Sequence, residues 1–262
     1  MALRKVSDIS PLKTVQYNSV EAKNFIEMYE DNIKRSILQD SNYIPSKRFA
    51  PSSIRCQRQQ WFRLRGTKPD KVSEPDVILN FIADIGTHCH RVIQQNLVNF
   101  LGDRWIDIEQ YFKNNPPEYD YSLRKSEYET VVTVDDPPVK FSVDGLIAYN
   151  GTIYLLEIKT SETNSMRALI GPKQEHLDQI RCYCTVLGID DAMVVYQDRQ
   201  YGSFKCFTYH VTESDKLKIV DTFKEVQDKV NRNIAPSALP IGDKWCNSSY
   251  CRYYRTCKKW GR

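Results

Sequence analysis

Residues 141–160 read FSVDGLIAYNGTIYLLEIKT, and the reading of this stretch decides the fold. It has the form of a β-hairpin. Phe141 and Val143 alternate with polar neighbours, as on a half-buried strand. Asn150-Gly151 supplies two residues that tolerate positive φ, which tight hairpin turns require. The second arm is β-branched and apolar until it reaches Glu157, Ile158 and Lys159. Residues two apart on a strand share a face, so Glu157 and Lys159 point the same way. Asp144 on the first arm comes near them across the ladder. Two carboxylates and an ammonium then gather at the end of an apolar hairpin. Such a group suits metal-dependent hydrolysis of a phosphodiester. Hard oxygens hold Mg²⁺ or Mn²⁺, the metal activates water and neutralises phosphate charge, and the lysine positions or deprotonates the nucleophile. The plainer alternative is a solvated hairpin end with one salt bridge.

A chain of 262 residues can bury a sizeable core as one large domain or as a core with appendages. The formal net charge is only +4, so the distribution of charge matters more than its total. No run approaches the length of an apolar membrane span, and the opening MALRKVSDIS lacks the apolar stretch of a leader. The expected compartment is a reducing cytoplasm. Eight cysteines there favour metal binding or burial over disulfides.

Along the chain, residues 1–17 carry no pattern and read as an irregular arm. Ile26, Tyr29, Ile33 and Ile37 predict an amphipathic helix over 19–38 that packs on the core, with Ser19 as its cap. Residues 47–65 carry six cations, Trp61, Phe62 and no acid. Arg55, Arg58 and Trp61 are the candidate nucleic-acid contacts, because basic residues interleaved with aromatics suit backbone contact and base stacking. The alternative is a helix with its aromatics buried and its arginines solvated. Residues 76–101 carry a wide apolar stripe and predict a core helix. His88 and His90 face differently on it, so both cannot serve one site.

Residues 102–125 read as a loop or short insert, and 127–134 as a strand in which Glu127 and Glu129 face solvent or lie near the metal. Residues 161–173 read as a mobile rim over the site. Residues 175–187 predict a helix ended by Gly188. Gln179 and Tyr183 share a face of it and can hydrogen-bond a phosphate or a base, and His176 lies one turn earlier. Strands at 192–196 and 204–211 and a helix at 214–230 follow. This order predicts an α/β core with a mixed central sheet flanked by helices.

The motifs together resemble the PD-(D/E)XK nuclease superfamily. Asp144 followed by Glu157-Ile158-Lys159 is similar to its catalytic core, and Gly86 to His90 resembles its Gly-x-x-x-His helix. Gln179 to Tyr183 resembles the Gln-x-x-x-Tyr helix of the RecB-type branch. Residues 49–56, ending in Cys56, and the late Cys246, Cys251 and Cys257 resemble the iron–sulfur subgroup of that branch, which includes CRISPR-associated RecB-like exonucleases and the AddB nuclease domain.

The resemblance implies a restriction-endonuclease-like fold with an added cysteine–metal subdomain. It implies His90, Asp144, Glu157 and the Ile158 carbonyl as ligands of Mg²⁺ or Mn²⁺, Lys159 acting on the attacking water, and Gln179 and Tyr183 on the substrate. The implied activity is exonuclease cleavage of single-stranded or free-ended DNA in recombination, repair, or phage or CRISPR processing. A structure-specific endonuclease and a binding module that retains the fold are the alternatives. No Walker A loop is present, so a helicase or other unwinding partner would be a separate chain.

Four thiolates suffice for a 4Fe–4S cluster or a structural zinc. Cys56, Cys246, Cys251 and Cys257 are the candidates, whereas Cys89, Cys182, Cys184 and Cys206 lie in apolar patterns and read as buried. Four residues separate Cys246 from Cys251, more than the subgroup pattern has, which leaves iron–sulfur, zinc and an empty site open. The expected organisation is a helical region over 1–75, a nuclease core over 76–232, and a tail over 233–262 that packs back on the first region.

Overall fold

The computed structural model describes residues 20–39, 45–70, 76–127, 129–240, 242–248 and 250–261. The expectations for residues 1–17 and for Ser19 lie outside the described residues. The chain divides into two compact units, 1–42 with 71–81, and 43–70 with 82–262. The tail and the segment around Cys56 therefore belong to the same unit as the central sheet.

In the smaller unit, α1 (Val20–Gln39) is helical as its spacing predicts. Phe25, Ile26, Met28 and Tyr29 on it are exposed.

In the larger unit, five strands form a mixed sheet in the order β1-β5-β6-β7-β8. They are β1 (Trp105–Ile106), β5 (Gly145–Tyr149), β6 (Thr152–Ser161), β7 (Asp191–Asp198) and β8 (Phe204–His210). β6 and β7 run parallel and every other pair is antiparallel. A second sheet of three antiparallel strands holds β2 (Tyr121–Lys125), β3 (Thr130–Val134) and β4 (Val139–Val143). The helices are α2 (Gln57–Leu64), α3 (Val77–Leu101, of which the residues up to Phe81 belong to the smaller unit), α4 (Ile108–Asn114), α5 (Thr163–Ala168), α6 (Gln174–Leu187), α7 (Glu213–Asn231) and α8 (Tyr254–Lys259). The class is the expected one: mixed α/β, a mixed central sheet flanked by helices.

The turn chemistry does what the sequence asks of it. Asn150 and Gly151 both take positive φ, 49° and 79°, and join β5 to β6. Gly188 takes φ 67° and closes α6 with its N–H on the Cys184 carbonyl. Thr212 and Asp215 form a reciprocal capping box at the start of α7.

Alternate residues of β6 feed two cores. Leu155 joins Val194, Tyr196, Ile180 and Val226 on the α6–α7 side. Leu156 and Ile158 join Ile93 and Leu101 of α3 on the other. All three β6 side chains are at most 1% exposed, and each contributes about 1.5–3 kcal/mol by leaving water. Glu157 and Lys159, in step with Leu155, therefore face α6.

Four local expectations give way to the structure. The single hairpin over 141–160 is two elements: β4 belongs to the small sheet, β5 to the large one, and Asp144 is the residue between them. Residues 102–125 are not a loop, because Asp107 caps α4 by accepting from the Glu109 and Gln110 amides and β2 pairs with β3. Residues 161–173 hold α5, started by the Glu162 side chain on the Ser165 amide. The stripe on α3 is buried only at its far end, with Ile78, Phe81, Ile85 and Val92 exposed. Among the described residues, no helix is long and apolar enough to cross a membrane.

Candidate active site

The position of Asp144 follows from two strand registers. In the small sheet Thr130 lies opposite Val143, so one further step brings Glu129 opposite Asp144. In the large sheet Gly145 lies opposite Leu156, so one step back brings Glu157 opposite the same residue. Asp144 thus has one carboxylate beside it from each sheet. Asp144 is 7% exposed and its carboxylate is well fixed. Oδ2 accepts the Ile158 N–H at 2.7 Å, and Oδ1 lies 3.3 Å from His90 Nδ1. The Asp144 carbonyl accepts from Gln94 Nε2 at 2.8 Å. His90 and Gln94 are four apart on α3 and so share the face that meets this junction.

Gly145 makes the junction possible. A Cβ there would lie 2.4 Å from Cη2 of Trp105, so β1 can approach β5 closely only because this residue has no side chain.

Ligand atoms of His90, Glu129 and Asp144 lie within 4.8 Å of one another, the group among the described residues best placed to hold a metal ion. Glu129 Oε2 also accepts from Ser142 Oγ at 2.6 Å. Glu127, the other acid weighed in that strand, instead pairs with Arg91. Two oxygens and an imidazole form a donor set suited to a hard or borderline divalent cation.

Glu157 is 2% exposed beside this group and is ion-paired with Lys159. Burial pushes its carboxyl up to about 7; Lys159 opposes that rise and Asp144 adds to it. Burial works against the Lys159 ammonium, but the Glu157 and Asp144 carboxylates outweigh it and raise its pKa above the ordinary lysine value.

Lys159 is steadied from α6. Gln179 Oε1 lies 3.4 Å from Lys159 Nζ, and Gln179 Nε2 donates to the Tyr183 hydroxyl at 2.6 Å. Tyr183 is 5% exposed and stacks on Phe141 at 4.5 Å, and burial holds its phenol well above the usual range. Gln179 and Tyr183 therefore form a relay that holds Lys159, and Tyr183 is too buried for the substrate contact expected of it.

The basic–aromatic segment divides. Arg55 is exposed, with an ion pair to Asp243 at 3.3 Å. Trp61 is fully buried, with Nε1 donating to the Lys229 carbonyl at 3.1 Å, so it cannot stack on a base. Arg58 is 7% exposed. It donates to the Pro236 and Gly261 carbonyls, both at 2.6 Å, and so fastens the tail to α2 instead of meeting DNA. The reason is shared: α2 is the seat of the tail, and its aromatic and basic residues are used in that contact.

Cys56, Cys246, Cys251 and Cys257 line one small cavity. Burial pushes Cys251 up to about 11, and Cys56, Cys257 and Cys246 add to the rise. Arg58 Nη1 lies 3.8 Å from Cys257 Sγ. Four thiols thus stand around one space, with a guanidinium against one sulfur. Asp70 reinforces the same contact by accepting from the Arg255 amide at 2.6 Å and from the Thr256 amide and hydroxyl at 3.0 and 2.6 Å.

Sequence reasoning set aside Glu129 and passed over Gln94. The signal for Gln94 was a polar residue one helical turn beyond His90 on an apolar stripe. The signal for Glu129 was the register of a β3–β4 hairpin, legible only once β4 and β5 are separated.

No family model and no curated protein matches the chain. Among solved structures the chain is similar to the one titled crystal structure of SSO0001, with 14% identity over 88% of this chain and 96% of that one, at a TM-score of 0.45. It is also similar to LHK-Exo in complex with dAMP, with 16% identity over 68% and 78% of the two chains at a TM-score of 0.41. The alkaline exonuclease LHK-Exo from Laribacter hongkongensis is 14% identical over 72% and 90%, at a TM-score of 0.39.

Proposed function

We propose that the protein is a divalent-metal-dependent deoxyribonuclease that hydrolyses phosphodiester bonds in DNA with free ends or single-stranded character. The observation that carries this reading is the meeting of two strand registers on Asp144, with Glu129 and Glu157 on either side, His90 across and Lys159 adjacent. His90, Glu129, Asp144 and Glu157 would hold Mg²⁺ or Mn²⁺, with the Ile158 carbonyl as a further oxygen. A bound divalent cation would supply Lewis acidity toward the phosphate and acidify a water.

The chain's own residues do the rest. Lys159, held by Glu157 and Gln179, donates hydrogen bonds to the attacking water and to the phosphate. The Ile158 N–H and the Gln94 amide fix Asp144, and the relay from Tyr183 through Gln179 limits the freedom of Lys159. Cys56, Cys246, Cys251 and Cys257 would hold a 4Fe–4S cluster, with zinc as the alternative occupant, and either would fasten the tail.

The test uses end-labelled linear and circular DNA, single- and double-stranded, with Mg²⁺, Mn²⁺ or EDTA. Release of nucleotides from linear substrates that EDTA abolishes is the expected result. Efficient cutting of closed duplex circles would indicate an endonuclease. Binding of DNA without cleavage under every metal condition would reject catalysis.

A further inference from the structure

On the α6 side of Lys159 lies a cavity of about 540 Å³, within the range of sites that enclose a small organic ligand. Lys159 and Gln179 are among its lining residues, so it reaches the candidate active site at Lys159. Arg55 and Arg63 line it as well. The two acids on its walls are already matched: Glu175 by Lys244 at 3.2 Å and Asp178 by Arg181 at 3.0 Å. Two of the wall's cations are matched as well, Lys159 by Glu157 and Arg55 by Asp243 at 3.3 Å, so among the described residues Arg63 carries positive charge there without an ion pair. Tyr250, 55% exposed, stands at the rim edge-on to Trp245 at 5.0 Å and offers an aromatic face.

His176 also lines this cavity, and its tautomer is fixed from behind. Tyr196 is fully buried, and among the described residues its hydroxyl has two partners. One is the Lys173 N–H, a donor, at 3.0 Å, and the other is His176 Nδ1 at 2.7 Å. A buried hydroxyl proton needs an acceptor, so it goes to Nδ1. His176 then carries its own proton on Nε2, the ring nitrogen left for the cavity. The ring is also kept uncharged. Burial, followed by Lys159, lowers its pKa to about 3.

Resting on the nuclease reading, we propose that this cavity binds one unpaired nucleotide of the substrate strand next to the bond that is cut, with His176 Nε2–H as a fixed, uncharged donor to it. Arg55 and Arg63 meet its phosphates, and Tyr250 stacks on its base. A base paired in a duplex cannot enter such a space, so the pocket selects for strand ends and single strands. Its donor is a histidine where a lysine would serve for phosphate alone, which matches a polar atom of sugar or base.

The experiment measures binding of a fluorescent single-stranded oligodeoxynucleotide to the full chain in EDTA, where no hydrolysis occurs. Wild type is compared with His176→Phe, His176→Gln and Ser52→Trp. Ser52 is an exposed lining residue, so a tryptophan there obstructs the cavity without disturbing the core. His176→Phe is expected to weaken strand binding about fivefold, the worth of one hydrogen bond, and His176→Gln to restore part of it. Ser52→Trp is expected to weaken it by about tenfold or more, and blunt duplex binding should change little. Folding is checked by thermal melting, and Ser52→Trp keeps the test open should His176→Phe unfold. Unchanged strand affinity in folded Ser52→Trp and His176→Phe would overturn the pocket while leaving the nuclease reading intact. A free 5′-mononucleotide that competes better than the oligonucleotide would also overturn it. Selective loss of strand binding in a protein that never cleaves would support the pocket and reject the nuclease reading.

Discussion

Acid should undo part of the fold through His176. In the unfolded chain this imidazole takes up a proton near its ordinary value of 6.5, whereas in the fold it resists until about 3. Between those values the unfolded state binds one proton more than the folded state, so stability is present above 6.5 and is lost as pH falls toward 3. At about 1.4 kcal/mol per pH unit, the loss at about pH 4.5 is roughly 3 kcal/mol. Other groups titrate in the same range. Asp107, Asp198 and Asp215 have lowered values and also lose stability in acid. Glu157 has a raised value, so its linkage runs the other way and favours the fold as pH drops from about 7 toward 4.5. A single protein therefore cannot isolate the effect, but a difference can. Urea unfolding of wild type and His176→Gln in EDTA, near neutrality and at about pH 4.5, should show the wild type losing roughly 3 kcal/mol relative to the variant on acidification. A difference between the two proteins that stays constant across pH would refute the buried, neutral histidine and the tautomer argument with it.

Asp144→Ala, Glu157→Ala and Lys159→Ala should each abolish cleavage with the fold retained by circular dichroism; calorimetry with Mn²⁺ should show weak binding in the two carboxylate variants and in Glu129→Ala, and little change in Lys159→Ala. Gly145→Ala drives a methyl into Trp105 and should cost about 1–3 kcal/mol of stability, with Trp105→Ala restoring part of the loss when the two are combined in a thermal-melt series. Protein purified without oxygen should be brown and lose its colour in Cys251→Ala; colourless protein with stoichiometric zinc would reject iron, and four free thiols without metal would reject the centre altogether.

How much of this was legible depended on the range of the interactions involved. The β5–β6 turn announced itself because Asn150-Gly151 is a local signal, and α6 ended where Gly188 allowed it. Glu157 and Lys159 on one face followed from strand periodicity alone. The change of sheet at Asp144 was not legible, because a strand that continues and a strand that transfers to another sheet share one alternating pattern. That transfer is what turned Glu129 from a surface acid into a neighbour of the site. Trp61 and Arg58 were misread for a related reason. Their sequence neighbours are basic and polar, but their partners lie far along the chain, at Pro236 and Gly261 of the tail and at the carbonyl of Lys229 in α7. The apolar start of α3 misled in the opposite direction, since periodicity identifies a face without saying that anything covers it.

The contact between α2 and the tail also has a consequence for timing. Residues of segment 50–63 and Leu239, Trp245, Tyr250 and Arg252 of the tail line the cavity beside Lys159 together. While the chain is being synthesised, the strands that carry Asp144, Glu157 and Lys159 can pair and fold long before residues 236–261 have been made. During that interval Asp144, Glu157 and Lys159 stand without the lining residues that the tail adds to the cavity. The cavity is completed only when Arg58 and Asp70 bind the tail.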